Sequence, residues 1–214
     1  IWIQPASGDA GGALGAAQFC HFHLLDKPRV VTGHDSQRGS LVGPRYEDEQ
    51  IKSFLDDGNA VYQHFSDESE LLKSVAGHMA NGKVVGWFQD NMEFGPRALG
   101  ARSIIGDARN PEMQSVMNRK IKFRESFRPF APCVLREDVS TYFDLSDESP
   151  YMLIVAPVAE GQRTQLSEEQ QRQQESKDLR ERVNVTRSSI PAITHVDYSA
   201  RVQTVDEERH GRYY

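Results

Sequence analysis

One segment near the middle of the chain constrains the fold most, because it cannot continue a regular helix or strand. It reads Glu93-Phe-Gly-Pro-Arg97-Ala-Leu-Gly-Ala-Arg102-Ser103. Gly95 and Pro96 force a turn, and Gly100 permits a close backbone approach. The run over residues 83–88 ahead of it is apolar and β-branched, which predicts a buried strand. The chain therefore has to turn soon after a core strand.

Two arginines, Arg97 and Arg102, leave this turn five residues apart. Such a loop can offer main-chain N–H groups and guanidinium forks to a phosphate together. A plain connection between a strand and a helix, with both arginines on the surface, explains the same residues, since Gly-Pro turns are common. The segment alone leaves both interpretations open.

A second segment, residues 118–132, is both cationic and aromatic. Four of its cations fall within nine residues: Lys120, Lys122, Arg124 and Arg128. If residues 121–126 are extended, the first three cations share one face and the apolar residues pack behind. Like charges on one side repel unless an anion neutralises them, so the pattern favours an anion site. A solvated edge strand and an RNA-binding surface are the alternatives.

Charge and composition narrow the ligand class. The net charge of −6 argues against general binding to nucleic acid. Residues 83–136 nevertheless hold ten basic and five acidic residues, which indicates a small anionic ligand. No apolar run approaches the roughly 20 residues that a membrane span needs. Two cysteines far apart, Cys20 and Cys133, suit a reducing cytoplasm better than a disulfide scaffold.

Periodicity and chain breakers predict short elements of both kinds, in an α/β (α+β) arrangement. Helices are predicted over residues 10–25, 47–56, 68–80 and 111–121. Strands are predicted over residues 1–3, 83–88, 130–135, 151–158, 193–196 and 200–205. Residues 160–182 have almost no apolar face, so we interpret them as a solvated helix or a mobile insertion.

Two further segments carry polar residues in patterns that suit ligand binding. In residues 194–205, polar side chains at alternating positions can meet a ligand on one face of a strand or hairpin, among them His195, Ser199 and Arg201. Residues 8–15 form a Gly-rich turn that opens a helix, an arrangement that binds phosphates, and Asp9 there can hold a metal. Each pattern is weak when taken alone.

Together, these four segments in this order resemble the NodU/CmcH-type O-carbamoyltransferases, which include the cephalosporin and tobramycin carbamoyltransferases. The family pattern is close to Gly-Arg-Met-Glu-Phe-Gly-Pro-Arg-Ala-Leu-Gly-Asn-Arg-Ser-Ile. This chain has Asp90-Asn-Met-Glu-Phe-Gly-Pro-Arg-Ala-Leu-Gly-Ala-Arg-Ser-Ile104. Residues 118–132 and 199–205 match as well, so the resemblance covers nearly the whole chain.

The resemblance implies a fold and a reaction. Residues 43–214 are expected to form a YrdC-like domain, a twisted mixed sheet flanked by helices. Residues 1–42 are expected to be a remnant of an actin-like ATPase-superfamily domain that transfers the carbamoyl group. Such proteins make carbamoyl adenylate from carbamoyl phosphate and ATP, and then pass the carbamoyl group to a hydroxyl of a small-molecule acceptor. The chain is expected to be a fragment that is inactive alone.

The resemblance also implies roles for particular residues. Lys122 and Arg128 are expected to be catalytic, and to bind carbamoyl phosphate with the help of three more cations, Arg97, Arg102 and Arg124. Three residues are expected to face the nucleotide: His195, Ser199 and Arg201. Asp9 is expected to belong to the metal site of the transfer domain. ATP with Mg²⁺ is the implied cofactor, and a divalent metal, with iron as one candidate, is implied for the absent transfer domain.

Three departures from the family pattern keep alternatives open. Asp90-Asn91 replaces the usual Gly-Arg, Tyr198 stands where glycine is usual, and the family's closing Asn-Thr-Ser-Phe-Asn segment has no counterpart. A YrdC-like module for tRNA binding or modification is the first alternative, although the net charge disfavours it. A scaffold domain without catalysis is the second. The acceptor, the general base and the oligomeric state are left open.

Overall fold

The computed structural model describes residues 3–214, which group into two compact units. The first unit contains the chain up to Gln63, Trp87–Ser103 and Glu207–Tyr214. The second contains His64–Gly86 and Ile104–Asp206. The expectation that residues 1–42 belong to a separate transfer domain stays a prediction. Of the strand predicted over residues 1–3, the first two residues lie outside the described part, and Ile3 is in no strand.

Short helices and strands alternate along the chain. The α-helices are α1 (Asp9–Phe19), α2 (Asp48–Asp57), α3 (Glu68–Ala80), α4 (Met113–Val116), α5 (Val139–Tyr142), α6 (Glu168–Gln174), α7 (Leu179–Val183) and α8 (Glu207–His210). The strands are β1 (Val85–Phe88), β2 (Arg102–Ile105), β3 (Cys133–Leu135), β4 (Ile154–Pro157) and β5 (Ser199–Val205). The expected α+β class is confirmed.

Some helices extend into tighter or wider turns. Helix α1 continues as a π-helix over Cys20–Leu24, and α4 continues as a π-helix over Met117–Ile121. Single 3₁₀ turns lie at Arg38–Ser40, Arg136–Asp138, Glu160–Gln162, Pro191–Ile193 and Gly211–Tyr213. No helix in the described part of the chain is long and apolar enough to cross a membrane.

Helix α3 forms where the sequence predicts it, at residues 68–80. The Asp67 carboxylate accepts the Ser69 backbone N–H at 2.8 Å and caps the first turn. Helix α2 begins with a capping box, in which Glu47 and Gln50 each bond the other's backbone. Both helices therefore start at signals that are local in the sequence.

A mixed three-stranded sheet forms the centre of the second unit. Its order is β3-β5-β4, with β3 parallel and β4 antiparallel to the central β5. In β5 every residue from Val202 to Val205 is buried. The largest apolar cluster packs around this sheet, and its buried members are Val139, Phe143, Ala156, Val158, Ile190, Ile193, Ala200 and Val202.

One predicted strand is wrong. Residues 193–196 do not form a strand; Pro191–Ile193 is a 3₁₀ turn with the proline at its start. The Thr194 hydroxyl closes this turn by donating to the Ile190 carbonyl at 2.9 Å. A proline at the first position of a helical turn has the required φ and needs no N–H, so it favours this turn over a strand.

Candidate anion-binding site

In the first unit, the loop over residues 93–103 folds around a carboxylate from its own chain. Glu93 is only 7% exposed. Its Oε1 accepts three backbone N–H groups, those of Leu99 at 2.7 Å, Ala101 at 2.9 Å and Arg102 at 3.2 Å. The intervening N–H of Gly100 donates to the Ser103 hydroxyl at 3.0 Å. Four successive amides are thus satisfied within the loop.

Gly100 is required for this arrangement. Its φ is +116°, and a Cβ there would lie 2.4 Å from the ring of Tyr213. A side chain would clash with the ring and strain the backbone together. The close backbone approach expected at Gly100 is therefore confirmed, and the surface it approaches is a tyrosine of the same unit.

Arg102 is tied to main-chain carbonyls. Its Nη1 donates to Gln89 and Ala101 at 2.5 and 3.0 Å, and its Nη2 donates to Asp90 and Pro44 at 3.1 and 3.3 Å. The guanidinium also stacks 3.5 Å over the Phe88 ring. All four terminal N–H groups have acceptors, so phosphate binding by Arg102 stays a prediction that these contacts oppose.

Arg97 and Asp9 are both exposed in the first unit. Arg97 has no hydrogen-bond or ion-pair partner among residues 3–214. Asp9 is the first residue of α1. Within the same described range, no group of three or more His, Cys, Asp or Glu side chains could hold a metal ion. Asp9 supplies one exposed carboxylate, and its role in the metal site of the transfer domain stays a prediction.

In the second unit, the basic segment is a turn and not an extended strand. Lys122 ends the π-helix Met117–Ile121, and Phe123 follows with a left-handed φ of 49°. The aromatic residues do not all pack behind the cations, because the Phe123 side chain is 85% exposed. The expectation of an extended stretch over residues 121–126, with its cations on one face, is wrong.

Asn118 holds this turn together, and residue patterns alone did not assign it a role. It is fully buried. Its amide donates to the carbonyls of Ser126 at 3.1 Å and Arg128 at 2.8 Å, and its Oδ1 accepts from Arg124 Nε at 2.6 Å. One side chain thereby fixes both limbs of the turn, a task that needs donor and acceptor on the same group. We name residues 118–128 the basic turn.

The cations of the basic turn fall into two classes. Arg124 lies 4.9 Å over the Phe130 ring as well as bonding Asn118, and Arg128 pairs with Glu125 at 2.7 Å. The exposed Lys120 and Lys122 have no acidic partner in the described chain. The pKa of Glu125 is lowered by a hydrogen bond from its own backbone and by the Arg128 guanidinium. Arg119 of the same turn is also exposed and without an acidic partner in the described chain, so three positive charges are left without counter-charge.

A small polar cleft of about 20 Å³ lies beside the basic turn. Ser126 of that turn is one of its lining residues, with Gln114 and Ser115 from the region of α4 and residues 183–186 from the end of α7 onward. Gln114 also donates to the Arg128 carbonyl at 3.1 Å. The cleft is about large enough for one water molecule, and it lies next to the cationic segment.

The family profile described as "Carbamoyltransferase C-terminus" matches residues 76–214, which include both loops and the cleft. The chain belongs to this carbamoyltransferase C-terminal family.

Proteins similar to the chain extend well beyond it. It is 56% identical over its whole length to an uncharacterized protein of Synechocystis sp., and 36% identical to the nodulation protein NolO of Bradyrhizobium diazoefficiens. It is 30% identical, over 96% of its length, to the 3'-hydroxymethylcephem-O-carbamoyltransferase of Amycolatopsis lactamdurans. The chain spans 34%, 34% and 32% of these relatives, respectively.

A second candidate subsite in this carbamoyltransferase-family domain is the turn before β5. Asp197 Oδ1 accepts the Ser199 hydroxyl at 2.6 Å and the Ser199 N–H at 3.0 Å, and it lies 3.1 Å from His195 Nδ1. The Ser199 hydroxyl is the main reason that the pKa of Asp197 falls to about 2. Two of the three residues predicted to face the nucleotide, His195 and Ser199, therefore contact the same carboxylate. Arg201, the third, is half-buried on β5.

Tyr198, the departure from the family's glycine, lies at the tip of this turn. Its φ of 63° is in the left-handed region that favours glycine. Arg163 lies 5.0 Å over its ring. The turn therefore keeps a glycine-like backbone despite the tyrosine, and the ring gains a cation contact that glycine cannot make.

Proposed function

We propose that this domain binds carbamoyl phosphate and ATP and forms carbamoyl adenylate. In the longer protein, the carbamoyl group then passes to a hydroxyl of a small-molecule acceptor. The family match over residues 76–214 supports the carbamoyl chemistry. The name of the Amycolatopsis relative, an O-carbamoyltransferase, supports a hydroxyl acceptor.

The proposed step consumes carbamoyl phosphate, ATP and one water, and releases carbamoyl adenylate, phosphate and pyrophosphate. Water cleaves the carbamoyl–phosphate linkage and releases phosphate, which leaves carbamate. A carbamate oxygen then bonds to the α-phosphorus of ATP as the bond between the α-phosphorus and pyrophosphate breaks. Bringing an acyl phosphate beside a triphosphate concentrates negative charge, and this charge persists through the transition state. Preorganised cations are the groups expected to stabilise it.

The observation that carries the proposal is the uncompensated charge of the basic turn. Asn118 fixes the backbone that presents Lys122, and the Lys122 N–H is itself bonded to the Met117 carbonyl at 2.9 Å. A cation on a fixed backbone, without a carboxylate partner in the described chain, is ready for a ligand anion. The left-handed Phe123 beside it is strain of the kind that clusters at ligand sites.

Arg128 has a different role in the proposal. Its pairing with Glu125 is exposed on both sides, with side chains 53% and 54% accessible. Exposed pairs of this kind contribute little to stability, so a ligand phosphate competes with Glu125 for the guanidinium. The turn at His195, Asp197 and Ser199 is the proposed nucleotide subsite, because Asp197 orients both neighbouring side chains.

The test is calorimetric titration of the full-length protein with carbamoyl phosphate. We expect Lys122→Ala and Arg128→Ala each to weaken binding about tenfold or more, because each removes a charge-assisted contact. Lys73→Ala, which removes an exposed lysine of α3 in the same unit, should leave binding unchanged. Exchange of labelled pyrophosphate into ATP that depends on carbamoyl phosphate reports the adenylate.

Three outcomes would contradict the proposal. Carbamoyl phosphate binding that is unchanged in both Lys122→Ala and Arg128→Ala would show that the basic turn is not part of the binding site. Pyrophosphate exchange that proceeds without carbamoyl phosphate would contradict the formation of carbamoyl adenylate. Salt-sensitive binding of tRNA without affinity for carbamoyl phosphate would favour the tRNA module instead.

A further inference from the structure

One arginine of the polar stretch 160–182, which we interpret from sequence as solvated, contacts the turn before β5. The Arg163 guanidinium lies 5.0 Å over the ring of Tyr198, at the tip of that turn. The main chain joins the two segments as well, because the Val158 N–H donates to the Tyr198 carbonyl at 2.7 Å. Arg163 therefore lies beside the proposed nucleotide subsite of the second unit.

Two contacts hold the Arg163 side chain in its orientation. Its Nε donates to the Val158 carbonyl at 2.9 Å, and its guanidinium carbon lies over the Tyr198 ring. The backbone is fixed too, since the Arg163 N–H donates to the Glu160 carbonyl at 3.0 Å and residues 163 and 188 form an antiparallel bridge. A guanidinium that is already anchored in this way loses little further freedom when it binds a ligand.

The anchored guanidinium still has donors to offer. Nη1 and Nη2 of Arg163 have no hydrogen-bond acceptor among residues 3–214, and no carboxylate of that range forms an ion pair with the side chain. The residue is exposed, so a ligand in solution can reach it. The two terminal nitrogens of an arginine match the oxygens of a phosphate group, which can accept two N–H groups together.

The neighbouring side chains favour a nucleotide phosphate as the ligand. Asp197 Oδ1 accepts the Ser199 hydroxyl at 2.6 Å and lies 3.1 Å from His195 Nδ1, so one carboxylate orients both side chains. The same carboxylate makes the turn anionic, and it repels a triphosphate unless a nearby cation balances it. Arg163, stacked on the next residue of the turn, supplies such a cation.

We propose that Arg163 binds a phosphate of the nucleotide and that the Tyr198 ring positions its guanidinium. This assignment rests on the function proposed above, which places ATP at this turn. It also gives the tyrosine a role. The Tyr198 φ of 63° favours glycine, and the side chain that occupies this strained position is the one that supports the cation.

The test is calorimetric titration of the full-length protein with ATP and, separately, with inorganic triphosphate. Arg163→Ala should weaken the binding of both about tenfold, because it removes a charge-assisted contact to phosphate. Arg163→Lys keeps the charge without the fork, and should weaken both severalfold. The matched control is Arg172→Ala, which removes an exposed arginine of α6 whose Nε also donates to a carbonyl, that of Glu168 at 3.3 Å. This control should change either affinity less than twofold.

Two substitutions of the tyrosine test its positioning role. Tyr198→Gly suits the left-handed backbone, so the turn should still fold, but ATP binding should weaken severalfold because Arg163 loses its support. Tyr198→Phe keeps an aromatic ring under the guanidinium, so ATP affinity should stay within twofold of the wild type. Equal ATP affinity in Tyr198→Gly and Tyr198→Phe would show that the ring does not position Arg163.

The remaining outcomes separate this assignment from the carbamoyl chemistry. Unchanged ATP affinity in both Arg163→Ala and Arg163→Lys would overturn the proposal, and so would an equal loss in Arg172→Ala. A loss for ATP without a loss for inorganic triphosphate would overturn the assignment to a phosphate. Carbamoyl phosphate affinity should be the same in Arg163→Ala as in the wild type. Failure of Lys122→Ala to weaken carbamoyl phosphate binding would count against the basic turn, and would leave the role of Arg163 unaffected.

Discussion

The loop over residues 93–103 and the basic turn over residues 118–128 share a cationic composition, but they differ in how their charges and amides are satisfied. Both are cationic, both contain chain breakers or strained residues, and both are candidates for a phosphate from residue type alone. In the first, the anion is Glu93, which accepts three backbone N–H groups. In the second, no acidic group of the described chain balances Lys120 or Lys122.

The comparison shows that backbone N–H groups arranged to bind an anion can be occupied by a carboxylate of the same chain. Glu93 satisfies the amides that would otherwise bind a ligand, so the first loop is a structural element built on the same hydrogen bonds. Asn118 in the basic turn has a neutral side chain, so it shapes the backbone without neutralising the lysines. The two segments therefore differ in the charge of the side chain that organises them, which is negative for Glu93 and neutral for Asn118.

The largest expected effect follows from removing the internal anion. Glu93→Ala leaves three backbone donors without their acceptor, so we expect a loss of about 3 kcal/mol or more in the free energy of unfolding. Urea unfolding measures this loss. Glu49→Ala, at an exposed position of α2 in the same unit, should cost less than about 0.5 kcal/mol. Equal effects at the two positions would show that Glu93 does not organise its loop.

A smaller effect is expected at the organiser of the basic turn. Asn118→Ala removes two donated bonds and one accepted bond from a fully buried site, at a cost of about 2 kcal/mol. It should also weaken carbamoyl phosphate binding, because Lys122 loses its fixed backbone. Asn81→Ala, which removes an exposed amide that donates to the Gly77 carbonyl at the end of α3, is the control. Unchanged affinity for carbamoyl phosphate in a folded Asn118→Ala protein would show that the conformation of the basic turn does not contribute to binding.

The smallest expected effect concerns an exposed carboxylate that organises a turn. Asp197 has a pKa of about 2 against an ordinary 3.8, chiefly because Ser199 donates its hydroxyl. A lowered folded-state pKa stabilises the protein above about pH 4, and this stabilisation is lost as the pH falls towards 2. Because the side chain is 65% exposed, solvent screening limits the contribution to below about 1 kcal/mol.

An NMR titration of the Asp197 carboxyl tests this account. Ser199→Ala removes the strongest hydrogen bond, so the pKa should rise towards 3.8. Ser176→Ala, which alters a serine hydroxyl that accepts the Asp178 N–H elsewhere in the unit, should leave it unchanged. A midpoint that does not move in Ser199→Ala would show that another group lowers the Asp197 pKa.

Elements with local signals were predictable. Helix α3 starts at the Asp67 cap and shows apolar residues at helical spacing, and it occupies the predicted residues 68–80. The strand predicted over residues 200–205 is β5, Ser199–Val205. The polar stretch 160–182 forms the short helices α6 and α7, whose residues are exposed or half-buried. Local chemistry decides such elements whatever packs against them.

Elements that depend on a distant partner were not predictable in the same way. An extended conformation over residues 121–126, with the cations on one face, was the arrangement that suited an anion site. The Asn118 amide overrides that preference by bonding carbonyls eight and ten residues away. Arg187 follows a polar stretch, and nothing in its neighbours predicts that its charge is buried.

The sequence by itself determined the α+β class, the bounds of α3 and, to within one residue, those of α2, and the resemblance to the carbamoyltransferase family, because these depend on periodicity, capping and ordered motifs. Only the tertiary structure decided which charges are already satisfied. It assigned the amides of the 93–103 loop to Glu93 and the Arg102 guanidinium to four carbonyls, and it left Lys122 and Arg187 without counter-ions in the described chain. The physical reason is that a hydrogen bond or ion pair depends on distances of about 3 Å, which folding alone sets.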